Sequence, residues 1–132
     1  MTALVTGASG FIGSAVVRAL LARGKAVRAF VRASSDLRNL QDLGVDIRVG
    51  DLRNRASLDD AMQGCDEVFH VAADYRLWVP DPELMFAANV DGTRNVMEAA
   101  SDAGVRRIVY TSSVATLGLP HDMEAADEET PV

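Results

Sequence analysis

The chain has 132 residues, 48% of them hydrophobic, and a formal net charge of −6. That length suits one domain with enough apolar material for a real core, and no apolar run approaches the ~20 residues of a membrane span. Asp122, Glu124, Asp127, Glu128 and Glu129 concentrate the negative charge near the carboxyl end, the remainder is nearly neutral, and the lack of a basic stripe excludes a nucleic-acid partner.

Ala3-Leu4-Val5-Thr6 is a short apolar run with no polar face, as in a strand covered on both sides of a parallel sheet. Gly7, Gly10 and Gly13 follow at three-residue intervals, and a helical pattern then begins. A glycine turn between a buried strand and a helix start is a phosphate cradle: the backbone can approach a ligand closely, and free N–H groups at the helix N-terminus point at the anion. Phe11, Ile12, Ala15, Val16, Ala19 and Leu20 are expected to form the apolar face of that helix, with Arg18 and Arg23 opposite and Gly24 closing it.

Ala26 to Val31 reads as the second strand, ending at Arg32. A short helix capped by Ser35 or Asp36 is expected through Leu37, Leu40 and Leu43, and Gly44 ends it. Val45–Val49 reads as a third strand near an edge, followed by the turn Gly50-Asp51-Leu52 and a helix from Ser57 to Met62 with Ser57 as its cap. Glu67–Ala72 is the expected fourth strand, and Asp74 to Pro82 a loop carrying Tyr75, Arg76 and Trp78. One long helix is expected from about Glu83 to Ala103, with Met85, Phe86, Val90, Val96, Met97 and Ala100 on its apolar side. Arg107–Thr111 is the fifth strand, then Ser112, Ser113 and an irregular acidic tail over 119–132. Alternating strands and helices give an α/β, doubly wound parallel sheet of order 3-2-1-4-5, with residues 1–118 as its domain.

Cys65 is the single cysteine, without a disulfide partner or metal-ligand spacing nearby, and reads as an inert small residue. No metal is expected. A strand starting at residue 3 leaves no room for a signal peptide, so a cytoplasmic location is expected. Residue chemistry also selects a dinucleotide. NAD-selective folds place an acid at the end of the second strand. Here Arg32 stands there with Ser34 and Ser35 just beyond, and a guanidinium suits a 2′-phosphate. NADP(H) is therefore expected over NAD(H), against the alternative of a solvated loop arginine.

Thr6-Gly7-Ala8-Ser9-Gly10-Phe11-Ile12-Gly13 resembles the TGxxGxxG signature of the extended short-chain dehydrogenases/reductases, of the NAD-dependent epimerase/dehydratase type. Gly50-Asp51-Leu52, His70-Val71-Ala72-Ala73, Asn89-Val90-Asp91-Gly92-Thr93 and Tyr110-Thr111-Ser112-Ser113 are similar to that family's later motifs, in order. Within it, the chain resembles the dihydroflavonol-reductase-like branch and, over His70–Asn89 and Thr111–Gly118, the hopanoid-associated sugar epimerases.

The resemblance implies a Rossmann-type fold and a role for each motif. Gly10, Phe11 and Ile12 present N–H groups to the pyrophosphate, and Gly7 and Gly13 permit the close packing. Asp51 accepts from the adenine amino group with Leu52 beside the ring, and Val71, Ala72 and Ala73 line the cofactor floor. His70 is expected to be a buried, hydrogen-bonded structural residue rather than a base. For Asn89 a backbone tie and a cofactor contact both stand. Thr111 and Ser112 lie beside the cofactor, and Ser113 is the expected catalytic serine, holding the substrate oxygen that changes charge. The bland reading of Ser112 and Ser113 is a cap on a strand end. Tyr75, Arg76 and Trp78 are expected to touch substrate, against the alternative that Trp78 is buried to anchor its loop.

The chain departs from the family beyond its fifth strand: the family's sixth strand and C-terminal substrate-binding segments are not among these residues, and the acidic tail is expected to lead into them. The catalytic pair spaced YxxxK is absent after Ser113: Tyr75 and Tyr110 precede it, and the only lysine is Lys25. The expected function is the cofactor-binding half of an NAD(P)-dependent oxidoreductase or sugar epimerase acting on a small molecule; the alternative is an NADP(H)-binding module without turnover. An uncovered fifth strand also predicts self-association, so a homo-oligomer is an expected partner.

Overall fold

The computed structural model describes residues 1–118 and 125–131. Five strands form one parallel sheet: β1 (Thr2–Thr6), β2 (Ala26–Val31), β3 (Asp46–Val49), β4 (Glu67–His70) and β5 (Arg107–Tyr110), in the order β3-β2-β1-β4-β5. The helices are α1 (Phe11–Ala22), α2 (Arg55–Met62), α3 (Pro82–Phe86) and α4 (Gly92–Asp102), with a π-helical segment, Ala87–Asp91, between the last two.

Alternation along the strands divides the core in two. Ala3 and Val5 of β1 and Val27, Ala29 and Val31 of β2 pack with Val17 and Leu20 of α1 on one face. Leu4, Phe30 and Val68 pack on the other with Leu58 and Met62 of α2 and Val96, Ala99 and Ala100 of α4. Two covered faces account for strands that are apolar throughout. The strand order follows from the preferred hand of each crossover, and it puts all five carboxyl ends along one rim.

Five expectations need correction. The buried stripe of α1 is Gly13, Ser14, Val17 and Leu20, while Phe11, Ile12, Ala15 and Ala19 face outward. The close approach of Gly13 to Gly7 sets the helix rotation and overrides the larger apolar residues. No helix forms over 35–43; a single 3-10 turn, Arg38–Leu40, stands there. Asp36 accepts the Arg38 N–H at 3.0 Å, which favours a local turn, and Asp42 at φ 60 closes the segment.

The cap of α2 is Asn54, whose Oδ1 accepts the Ser57 N–H at 3.4 Å, and the helix begins earlier than expected. The Ser57 hydroxyl instead lies between the Asp51 and Asn54 carbonyls, at 3.1 and 2.8 Å. β4 stops at His70, because the N–H groups of Val71 and Ala72 turn to the Thr6 hydroxyl rather than to a neighbouring strand. The long helix is three segments, and Phe86 and Val90 of its expected apolar side are exposed.

Of the tail, 119–124 and 132 lie outside the described residues, and Asp122 and Glu124 lie there with them. Residues 125–131 are irregular, with a turn closed by the Thr130 N–H on the Asp127 carbonyl at 3.1 Å.

Candidate functional site

The rim of carboxyl ends gathers most of the singled-out residues. Gly7 follows β1 at φ +65, a conformation that disfavours other residues. A Cβ there would lie 2.8 Å from the Ala72 backbone, and a Cβ on Gly13 would lie 2.0 Å from the Gly7 carbonyl oxygen. Strand end, helix start and the exit of β4 are thus packed backbone on backbone. Gly10 occupies the cap position of α1 without any side-chain cap, and no acidic residue stands in the first turn. Among the described residues, the N–H groups of Phe11, Ile12 and Gly13 have no acceptor within the protein. Gly10, Phe11 and Ile12 are exposed. This is a cradle of unpaired donors beside a floor of small residues, Val71, Ala72 and Ala73, and it fits the pyrophosphate of a dinucleotide.

Five charged groups follow three of the strand ends. Arg53 holds Asp51 in a two-pronged grip, Nε at 2.9 Å and Nη2 at 2.7 Å, and that bond lowers the Asp51 pKa to about 2 against the cost of partial burial. Arg76 does the same to Asp74, with Nε at 2.8 Å, and also lowers it to about 2. Arg32 is exposed and close enough to add a smaller electrostatic pull on both carboxylates. Asp36, the acid nearest to Arg32 in the same loop, is bound to Arg38 at 2.7 Å.

Asn89 settles into a backbone tie. Its side-chain oxygen accepts the Asp74 N–H at 2.7 Å, and its amide nitrogen donates to the Asp74 carbonyl at 2.8 Å. Leu52 is half-buried, and its carbonyl accepts from Asn95 at 2.9 Å. A Cβ on Gly92 would lie 2.8 Å from the Leu52 Cβ, so α4 presses directly on this loop.

The serine end of β5 joins the rim less directly. The Thr111 N–H donates to the His70 carbonyl at 2.9 Å. Ser112 and Ser113 are exposed, and the Ser113 hydroxyl accepts the Ala115 N–H at 3.2 Å. No hydrogen bond among the described residues links either serine to the glycine turn. Tyr75 and Trp78 are 90% and 79% exposed, so Trp78 does not anchor its loop by burial. The recess lined by Met1, Glu67, Arg106 and Arg107 opens at the amino ends of β1, β4 and β5, on the opposite rim.

Sequence reasoning passed over Asn95, and it named Thr6 and Thr93 in motifs and Ser57 as a cap without the bonds they make here. Each is a polar residue that is at least half-buried, and each bonds a loop or the buried His70. Their polarity in covered positions was the available signal. His70 is fully buried and hydrogen-bonded at both ring nitrogens, as expected, and burial lowers its pKa to about 4. Cys65 is buried, and burial raises its pKa.

Comparison with known proteins agrees with this geometry. Residues 3–132 match the model of the NAD dependent epimerase/dehydratase family. A putative dihydroflavonol 4-reductase of Synechocystis is 53% identical over 94% of this chain, which spans 36% of that relative. The crystal structure of gox2253 superposes with a TM-score of 0.93 at 56% identity, covering 99% of this chain and 40% of that one. The UDP-glucose 4-epimerase of Thermus thermophilus, in complex with NAD, gives a TM-score of 0.84 at 33% identity, covering 100% of this chain and 44% of that one. On sequence and fold together, this chain belongs to the NAD dependent epimerase/dehydratase family.

Proposed function

We propose that this segment is the cofactor-binding part of an NADP(H)-preferring oxidoreductase or epimerase acting at a carbonyl or hydroxyl carbon of a small molecule. The observation that carries the reading is the glycine turn: the N–H groups of the exposed residues Phe11 and Ile12 are unpaired among the described residues, and the helix start is packed so closely on the turn that a Cβ on Gly13 would lie 2.0 Å from the Gly7 carbonyl oxygen. Gly7, Gly10 and Gly13 shape the cradle, Val71, Ala72 and Ala73 form its floor, and Asp51 with Leu52 receives the adenine. Thr111 and Ser112 flank the nicotinamide end, and Asn89 serves it by holding the Asp74 loop in place.

A bound nicotinamide dinucleotide supplies the hydride donor or acceptor. Ser113 holds the substrate oxygen by donating its hydroxyl proton, which accepting the Ala115 N–H leaves free. Tyr75 and Trp78 offer exposed aromatic faces, and Arg76 a cation, to a sugar or flavonoid-like ring. That substrate class also fits the likeness to reductases and sugar epimerases. The chain spans 36% of the Synechocystis relative, and we place the proton donor that Ser113 needs outside these 132 residues.

The NADP(H) preference rests on Arg32. It is exposed at the end of β2, and the nearest acid of that loop, Asp36, is engaged by Arg38. Titrating NADPH and NADH against the wild type and Arg32→Ala tests this. The expected result is tighter NADPH binding by the wild type, and a loss of about 1.5–3 kcal/mol for NADPH alone in the variant. Equal wild-type affinities, or a variant that keeps the bias, would refute the assignment.

A further inference from the structure

His70 closes β4 one residue before the small-residue floor, and its ring is fully buried. Nδ1 lies 2.7 Å from Thr6 Oγ1, and Nε2 lies 3.0 Å from Thr93 Oγ1. Counting donors fixes the direction of both bonds. The Thr6 hydroxyl accepts the N–H groups of Val71 and Ala72, each at 3.2 Å, which uses both of its lone pairs. Its single proton is left for His70 Nδ1. Nδ1 is therefore an acceptor, the ring proton sits on Nε2, and Nε2 donates to Thr93.

The same residue makes two further contacts. Its ring stacks on Tyr110 with centroids 5.3 Å apart and planes 15° apart. Its carbonyl accepts the Thr111 N–H at 2.9 Å. His70 thus touches the residue before Gly7, the strand leading to Ser112 and Ser113, and, through Thr93, α4. It reaches the exit of β4 through Thr6, whose hydroxyl orients the Ala72 backbone that packs on Gly7.

We infer that His70 is a positioning residue of the dinucleotide site: a neutral imidazole, protonated on Nε2, which orients the Thr6 hydroxyl so that Val71-Ala72 stays seated against the glycine turn. The inference rests on the dinucleotide reading proposed above. Packing alone would not select this arrangement, since an aliphatic side chain would fill the same space without fixing Thr6. Burial, which lowers the pKa of the ring to about 4, keeps Nδ1 free to accept at neutral pH.

The test has two arms, both on the full-length protein. Nitrogen-15 NMR at neutral pH reads the tautomer: a protonated Nε2 and bare Nδ1 are expected, and a protonated Nδ1 overturns the inference. Dinucleotide titration then compares His70→Asn with His70→Leu. Asn offers an oxygen where Nδ1 stands, whereas Leu supplies more apolar volume and no acceptor. His70→Asn is expected to bind close to wild type and His70→Leu on the order of tenfold more weakly. Leu binding as well as Asn overturns the inference. Should the Leu variant not fold, Thr6→Ser against Thr6→Val decides in the same way, with the hydroxyl-bearing variant expected to bind more tightly and equal affinities overturning the inference. A wild type that binds no dinucleotide defeats the functional reading instead, and leaves the tautomer result standing on its own.

Discussion

At the end of β2, Arg32 and Asp36 compete in principle for the same ribose, and Arg38 removes the acid by pairing with it. That pairing is not readable from residue type, because Asp36 could equally have capped a helix; the cation at position 32 was readable, since a strand end faces the ligand rim. His70 makes a sharper residue-scale prediction. Its folded pKa of about 4 lies below the ordinary 6.5, so the unfolded chain takes up the proton first. Its contribution to stability is therefore complete above about pH 6.5, falls away between about 6.5 and 4, and changes no further below that; its full size is about 3 kcal/mol. Asp51 and Asp74, held down to about 2, act in a separate window, losing their stabilisation as the pH drops from 3.8 toward 2. Denaturation midpoints at pH 7 and pH 4.5 check this. The wild type should lose more stability between the two than His70→Asn, and equal losses would contradict it.

Between Pro82 and Asp102, one apolar rhythm hides three helical segments. Periodicity reported a helix correctly but could not report the π turn, because a single widened turn barely shifts the pattern. What marks it is the polar work done there: Asn89 grips Asp74, and just beyond the turn Asn95 of α4 bonds Leu52. Asn89→Ala should cost about 1–2 kcal/mol for two lost, half-buried hydrogen bonds. Hydrogen exchange at the Asp74 amide should speed up while β1 and β4 stay protected; unchanged protection at Asp74 would contradict the tie. The rotation of α1 was illegible for a related reason. Small residues at Gly13 and Ser14, rather than large apolar ones, make its closest contact with the sheet.

For the whole molecule, strand count and order were legible because parallel strands joined by right-handed crossovers leave few topologies. Both edges carry exposed apolar side chains. On β3, Asp46 pairs with Arg28 of β2 at 2.9 Å and with Arg48 at 3.2 Å, beside Ile47 and Val49, which are 40% and 62% exposed. β5 exposes Ile108, Val109 and Tyr110 at 36%, 43% and 50%. An apolar strand with a free edge pairs readily. Residues 1–132 on their own are expected to self-associate in sedimentation experiments over micromolar concentrations, and a monomer at every concentration would contradict the expectation. Which polar groups gather along the rim was only half legible, because Arg53, Arg76 and the polar ties of α4 come together through the fold.

The central claim is that a dinucleotide lies across this rim with its pyrophosphate on the start of α1. A crystal structure of the protein with NADP+ tests it most directly. The account predicts pyrophosphate oxygens on the Phe11 and Ile12 N–H groups, the adenine at Asp51 and Leu52, and the 2′-phosphate on Arg32. A dinucleotide seated elsewhere, or a pyrophosphate that leaves those two N–H groups unpaired, would contradict it.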